Sequence, residues 1–277
     1  MTFGTRLAEA VQLRGRLCVG IDPHPGLLDA WGLTDSAVGL ERFAMTAVEA
    51  LAPVAAVVKP QSAFFERHGS KGIAVLEQVV AGCREQGALV LLDVKRGDIG
   101  STAQAYAEAY LEPRSTLFAD AVTASPFLGV GSLDPLVDTA LANDAGVFLL
   151  ALTSNPEGAE VQHAVGADGR PVAAAVLGSV ATRNAGADGS GSIGAVVGAT
   201  VTLPTGMTVD DLDVGGPLLV PGIGAQGGTL DDVRRIFGPA ARHVLPSSSR
   251  EILGNGPDRV ALHDAVLRTA ETFSTLA

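Results

Sequence analysis

Eight short runs of aliphatic and β-branched residues, each followed by a segment with helical spacing, constrain the fold of this chain more than any other feature. The runs are Leu17–Ile21, Val54–Lys59, Ala88–Asp93, Asp120–Thr123, Val147–Leu152, Ala195–Val201, Leu218–Val220 and His243–Leu245. Continuous apolar character suits parallel strands covered on both faces, not the alternation of a half-exposed strand. Between the runs, apolar residues recur at three- and four-residue spacing in Glu41–Leu51, Gly72–Glu85, Ser101–Leu111, Leu230–Phe237 and Arg259–Phe273. That rhythm predicts helices with one apolar stripe. Eight strand-then-helix units without a composition break predict an α/β fold over residues 1–277, a single (β/α)8 TIM barrel rather than a doubly wound sheet.

The bulk properties exclude several classes. No apolar stretch reaches the roughly 18 residues of a membrane span, although 47% of the 277 residues are hydrophobic. The start, Met1 to Glu9, carries an acid and lacks the apolar segment of a signal peptide. Cys18 and Cys83 lie in apolar surroundings without metal-ligand spacing, which predicts two buried thiols in a reducing, cytoplasmic compartment. A net charge of −11 argues against a nucleic-acid partner, because backbone binding needs a basic surface. A small phosphorylated ligand stays possible, since a few N–H groups and one arginine can hold a phosphate locally. The stretch Ala185 to Ser192 reads as a flexible surface loop on the inert face of the barrel.

The chemistry concentrates where strands end. Directly after the run Ala88 to Leu92 comes Asp93-Val94-Lys95-Arg96-Gly97-Asp98, with charges spaced as Asp-x-Lys-x-x-Asp. Charge at the tip of a buried strand is costly unless it is paired. The chain holds only three lysines, Lys59, Lys71 and Lys95, and two of them sit at the ends of apolar runs. Lysine can give up a proton where arginine cannot. Lys59, Asp93, Lys95 and Asp98 can form a chain of alternating charge, with Thr102 one turn beyond. In a barrel the active site lies at the C-terminal ends of the strands. There the sequence also offers Asp22 after the first strand and Thr153-Ser154-Asn155-Pro156 after the fifth. Pro221 to Gly228, containing Gln226, follows the seventh, and Ser247 to Arg250 follows the eighth. The glycine-rich turn and the Ser249-Arg250 helix start together predict a phosphate cradle. On residue types alone, a helix cap, a metal site and a proton donor all stay open for the Asp93–Asp98 element. The five histidines are scattered and no two share metal-ligand spacing.

Leu92 to Ile99, Lys59, Pro221 to Gln226 and Ser249-Arg250 occur in the order and on the strands that resemble the orotidine 5′-phosphate decarboxylase family, in its longer bacterial form. The resemblance implies conversion of orotidine 5′-phosphate to uridine 5′-phosphate and CO2 without a cofactor or metal. Lys95 would donate the proton to C6, Asp93 would lie beside the substrate carboxylate, and Lys59 would bond Asp93 and a ribose hydroxyl. Asp22 would accept from the ribose and Ser154 would bond the pyrimidine, with Pro221 beside the substrate. Gln226 and Arg250 would grip the phosphate. Asp98 and Thr102 would reach into the neighbouring site of a homodimer. Two other readings compete. A Mg2+-dependent sugar-phosphate decarboxylase or epimerase barrel shares the Asp-x-Lys-x-x-Asp element, but it would want a carboxylate where Lys59 stands. A non-catalytic nucleotide-binding barrel would be expected to have lost Asp93 or Lys95.

Overall fold

A computed structural model, which describes residues 1–224 and 227–276, resolves the eight runs as parallel strands of one closed barrel in sequence order. They are β1 (Cys18–Ile21), β2 (Val57–Pro60), β3 (Leu89–Arg96), β4 (Ala121–Ala124), β5 (Gly146–Leu152), β6 (Ile193–Val197), β7 (Leu218–Pro221) and β8 (Val244–Ser248). β8 closes the ring by pairing Ser247 with Cys18 and Ser248 with Val19. The five expected helices form as Ala37–Leu51, Gly69–Glu85, Gly100–Leu111, Leu230–Phe237 and Arg259–Thr272. None of the described helices is long and apolar enough to cross a membrane.

Some strand limits differ from expectation. β2 starts at Val57 because the preceding helix winds down through Ala52 to Val54. β6 stops at Val197, where Gly198 lies against the backbone of Ser154; a Cβ there would sit 3.1 Å from that nitrogen. β3 and β8 run further than their apolar character suggests, because their polar ends still find ladder partners.

The period of two along each strand sorts residues into two apolar layers. Leu17, Val19, Val58, Val90, Leu92 and Val122 face the helices in one large cluster. Cys18, Val57, Leu91, Ala121, Phe148, Val196, Leu219 and Leu245 face the barrel axis. The helix Phe3–Arg14 plugs the N-terminal end of that interior, with Phe3 edge-on to Phe148 at 6.1 Å between ring centroids.

The loop from Ala185 to Ser192 lies on this N-terminal end, as expected, but only part of it is free. Gly4 rests on the Ser190 carbonyl so closely that a Cβ would come within 2.0 Å. The Ser192 hydroxyl accepts from the Gly4 N–H at 3.2 Å, and buried Asn184 donates to the Ile193 and Val214 carbonyls at 2.7 and 2.9 Å. The loop's second half is the seat of the plugging helix.

Candidate active site

The same two-residue period builds the site. Stepping two residues along from each axial residue reaches Gly20 and then Asp22 on β1, Lys59 on β2 and Asp93 on β3. On β4, β7 and β8 it reaches Thr123, Pro221 and Ser247. A polar layer therefore sits directly above the apolar one, at the C-terminal end. Gly20 leaves the room this layer needs: a Cβ there would meet the Ser249 side chain at 2.7 Å and Asp22 Oδ1 at 3.2 Å.

Asp93 is the hub. Its Oδ2 accepts from Lys59 Nζ at 2.8 Å, and its Oδ1 accepts from Lys95 Nζ at 2.6 Å and Thr123 Oγ1 at 2.8 Å. Asp93 and Lys59 are buried, whereas the Lys95 side chain is 45% exposed and reaches into open space. Burial alone would neutralise Asp93, but Lys59 and Lys95 outweigh it and hold the carboxyl well below the usual carboxylate range. Burial likewise opposes the Lys59 charge, and Asp93 with Asp22 overcomes it, so Lys59 is pushed above the ordinary lysine value. The pair is locked as an ion pair. Beneath it, burial drives the Cys18 thiol up to about 12, which keeps it neutral.

Lys95 has an unusual backbone. Its φ of 46° is left-handed, a region that costs a non-glycine residue roughly 1–2 kcal/mol. The cause lies in the β3–β4 ladder. Leu92 pairs with Val122 and Arg96 with Ala124, so three β3 residues face the single residue Thr123. The excess bulges, and the Lys95 N–H finds the Thr123 hydroxyl at 3.0 Å instead of a ladder carbonyl.

Around the hub lies one cleft with two lobes. The first, about 510 Å³, is lined by Asp93, Lys95, Thr123 and Ser154 over an apolar floor of Leu150, Val196 and Leu219. The second, about 430 Å³, is lined by His24, Phe64, Gly222, Ile223, Ser249 and Arg250. Asp22, Lys59, Gln61 and Pro221 border both. Asp22 Oδ1 and Ser249 Oγ are buried without a hydrogen-bond partner, an arrangement that invites a ligand hydroxyl. Arg250 starts the four-residue helix Arg250–Leu253 and is exposed at the rim.

The fold thus brings Asp22, Lys59, Asp93, Lys95, Ser154, Pro221 and Arg250 around one cleft. Asp98 and Thr102 point elsewhere. Asp98 is half-buried and accepts from the Ile99 N–H at 2.8 Å, and Thr102 is exposed on the helix Gly100–Leu111. Gln226 lies outside the described residues. Sequence reading passed over Thr123 and Gln61, the latter donating to the Asp93 carbonyl at 3.3 Å. Thr123 ends the fourth run as Lys59 ends the second, but a threonine at a strand end carries no charge that asks for a partner. Arg96 was also overlooked. Its guanidinium bonds Glu66 at 2.6 Å, and its backbone carbonyl accepts from the Ser125 N–H at 2.8 Å, bracing the loop after Lys95.

The arrangement offers a buried anion, a buried cation and a half-exposed cation at one point of a cleft whose far lobe carries an arginine. The model of the orotidine 5′-phosphate decarboxylase / HUMPS family matches residues 15–265. The chain belongs to this family. A Nocardioides sp. relative named orotidine 5′-phosphate decarboxylase is 61% identical over 271 residues, which cover 96% of this chain and 97% of the relative. Its Streptomyces coelicolor namesake is 57% identical, with coverage of 99% and 97%. Among solved structures, one from Streptomyces avermitilis, described as a "putative orotidine 5′-phosphate decarboxylase", superposes with a TM-score of 0.96 at 57% identity, over 100% of this chain and 96% of that one. Leishmania donovani OMP decarboxylase gives 0.74 at 29% identity, over 100% and 99%.

Proposed function

We propose that this cleft decarboxylates orotidine 5′-phosphate to uridine 5′-phosphate, the last step of pyrimidine nucleotide synthesis, without a cofactor. The observation that carries the reading is the Asp93 carboxylate held between the buried cation Lys59 and the exposed cation Lys95. Loss of CO2 from C6 breaks the C6–carboxylate bond and leaves its electron pair on C6. No ring atom can delocalise that pair, so a positioned cation must meet it. Lys95 supplies the charge and then a proton, completing the product C6–H bond. Asp93, held ionised, faces the departing carboxylate and favours its release as neutral CO2. Lys59 keeps Asp93 in register and bonds the ribose.

The rest of the cleft fits the rest of the substrate. Ser154 serves the pyrimidine in the lobe that holds Asp93, beside Pro221. Asp22 accepts from a ribose hydroxyl, answering its unpartnered Oδ1. Arg250 and Gln226 take the phosphate. Binding energy gathered there assembles the distant reacting centre. The Mg2+ reading loses ground because Lys59, not a carboxylate, stands at the end of β2 and is already committed to Asp93.

The protein works as a homodimer in the cytoplasm, with Asp98 and Thr102 completing the partner's site. Ile99, Phe127 and Leu128, on the loops after β3 and β4, are 60%, 75% and 53% exposed, and an interface at this end of the barrel would cover them.

The test follows the pyrimidine absorbance of orotidine 5′-phosphate mixed with the protein, with and without EDTA. Conversion is expected at the same rate in both. Turnover that EDTA abolishes would transfer the reading to the metal-dependent branch.

A further inference from the structure

We infer that Thr123 is a positioning residue of the reaction, holding the backbone of Lys95 and the carboxylate of Asp93 in the geometry that aims the Lys95 ammonium. The inference rests on the decarboxylase reading of the cleft and goes beyond it, since Thr123 has no part in the residue set that the resemblance supplies.

The direction of its hydrogen bonds is forced. The Lys95 N–H can only donate, and an ionised Asp93 can only accept. The Thr123 hydroxyl lies between them, 3.0 Å from the one and 2.8 Å from the other. It therefore accepts from Lys95 and donates its single proton to Asp93 Oδ1. One buried side chain on β4 fixes two functional groups on β3.

The ladder shows why a side chain has this task. Three residues of β3 are opposed by Thr123 alone, so the bulge leaves the Lys95 N–H without a ladder carbonyl. The left-handed backbone of Lys95 persists only if its surroundings over-determine it. The Thr123 hydroxyl is the group in contact with that N–H.

The second bond matters when Lys95 acts. Asp93 Oδ1 holds two donors, Lys95 Nζ and Thr123 Oγ1, while Oδ2 holds Lys59. When the ammonium turns from Oδ1 toward the substrate, Thr123 remains, so neither carboxylate oxygen is left bare and the group does not rotate. Thr123 touches groups at the reacting carbon and none in the lobe that holds Arg250. Its loss should slow the chemical step and spare ground-state binding.

The experiment compares Thr123→Val and Thr123→Ser with the wild type. Valine keeps the shape and removes both bonds; serine keeps the hydroxyl. Thr123→Val is expected to lose kcat by about 10²-fold, the scale of a misplaced catalytic group. KM for orotidine 5′-phosphate and the Kd of uridine 5′-phosphate, measured calorimetrically, should move by less than about threefold. Thr123→Ser should recover most of the loss, and circular dichroism reports whether each variant is folded. An unchanged kcat in Thr123→Val overturns the inference. So does equal impairment of both variants, or a Kd that weakens as much as kcat falls, which marks a scaffold residue. If the wild type does not convert orotidine 5′-phosphate, the reading of the cleft itself has failed, and the inference falls with it.

Discussion

The barrel buries an aspartate at each end, and the two are treated differently. At the N-terminal end, Asp120 accepts from Arg6 at 2.5 Å through Oδ1 and from the Val90 N–H at 2.9 Å through Oδ2. Arg6 also donates to the Asp144 carbonyl at 2.7 Å. That cluster is a clasp between the plugging helix and the strands. At the C-terminal end, Asp93 is equally buried, but one of its two cations is half exposed and the neighbouring Asp22 Oδ1 has no donor. A saturated pair holds the fold together, whereas a pair left open on one side has capacity for a ligand. Burial does not distinguish the two aspartates; the second cation beside Asp93, half exposed to the cleft, does.

The sharpest way to break this contrast is to remove the open cation. Lys95→Ala should lose at least about 10³-fold in kcat, within the range for a positioned proton donor. It should still bind uridine 5′-phosphate. Under the proposed exchange of Asp98 between subunits, mixing it with an Asp98→Ala variant should restore turnover, because a mixed dimer would hold one intact site. Substantial activity in Lys95→Ala alone would remove that residue from its role.

Breaking the clasp should do the opposite. Asp120→Asn is expected to cost about 3 kcal/mol of stability, as for a buried pair that loses one charge, with turnover per folded molecule unchanged. A denaturant midpoint and a specific activity measured on one sample decide it. Loss of activity without loss of stability would erase the distinction between the ends.

The smallest expected effect concerns pH. Asp93 is lowered, so its contribution to stability is complete above the ordinary unfolded value of about 3.9 and fades as pH falls through its lower folded value. Lys59 is raised, so its contribution is complete below about 10.4 and fades as pH rises through its higher folded value. Between about pH 5 and 9 neither group should titrate. A carboxyl-carbon NMR titration in which Asp93 shows an inflection inside that window would break the ion pair described above.

The fold was legible because barrel strands bury both faces, so eight apolar runs stand out from the sequence without an alignment. The limits were less so. Ser247 and Ser248 belong to β8 through backbone pairing with β1, and serine carries no signal of that. In the site, Asp22, Lys59, Asp93 and Lys95 were readable because charge at a strand tip demands explanation. Thr123 was not, because a threonine ends a strand without cost or comment. Its role depends on a bulge two residues deep in the neighbouring strand, which no local pattern encodes. Asp98 and Thr102 rest on the family resemblance alone, since neither lines the cleft.

The left-handed backbone of Lys95 sets folding and chemistry at odds in one position. Glycine, asparagine and aspartate adopt that conformation most readily, and none carries an ammonium. A library randomised at residue 95 and selected for thermal resistance alone should drift toward these three, while selection for pyrimidine prototrophy should return lysine.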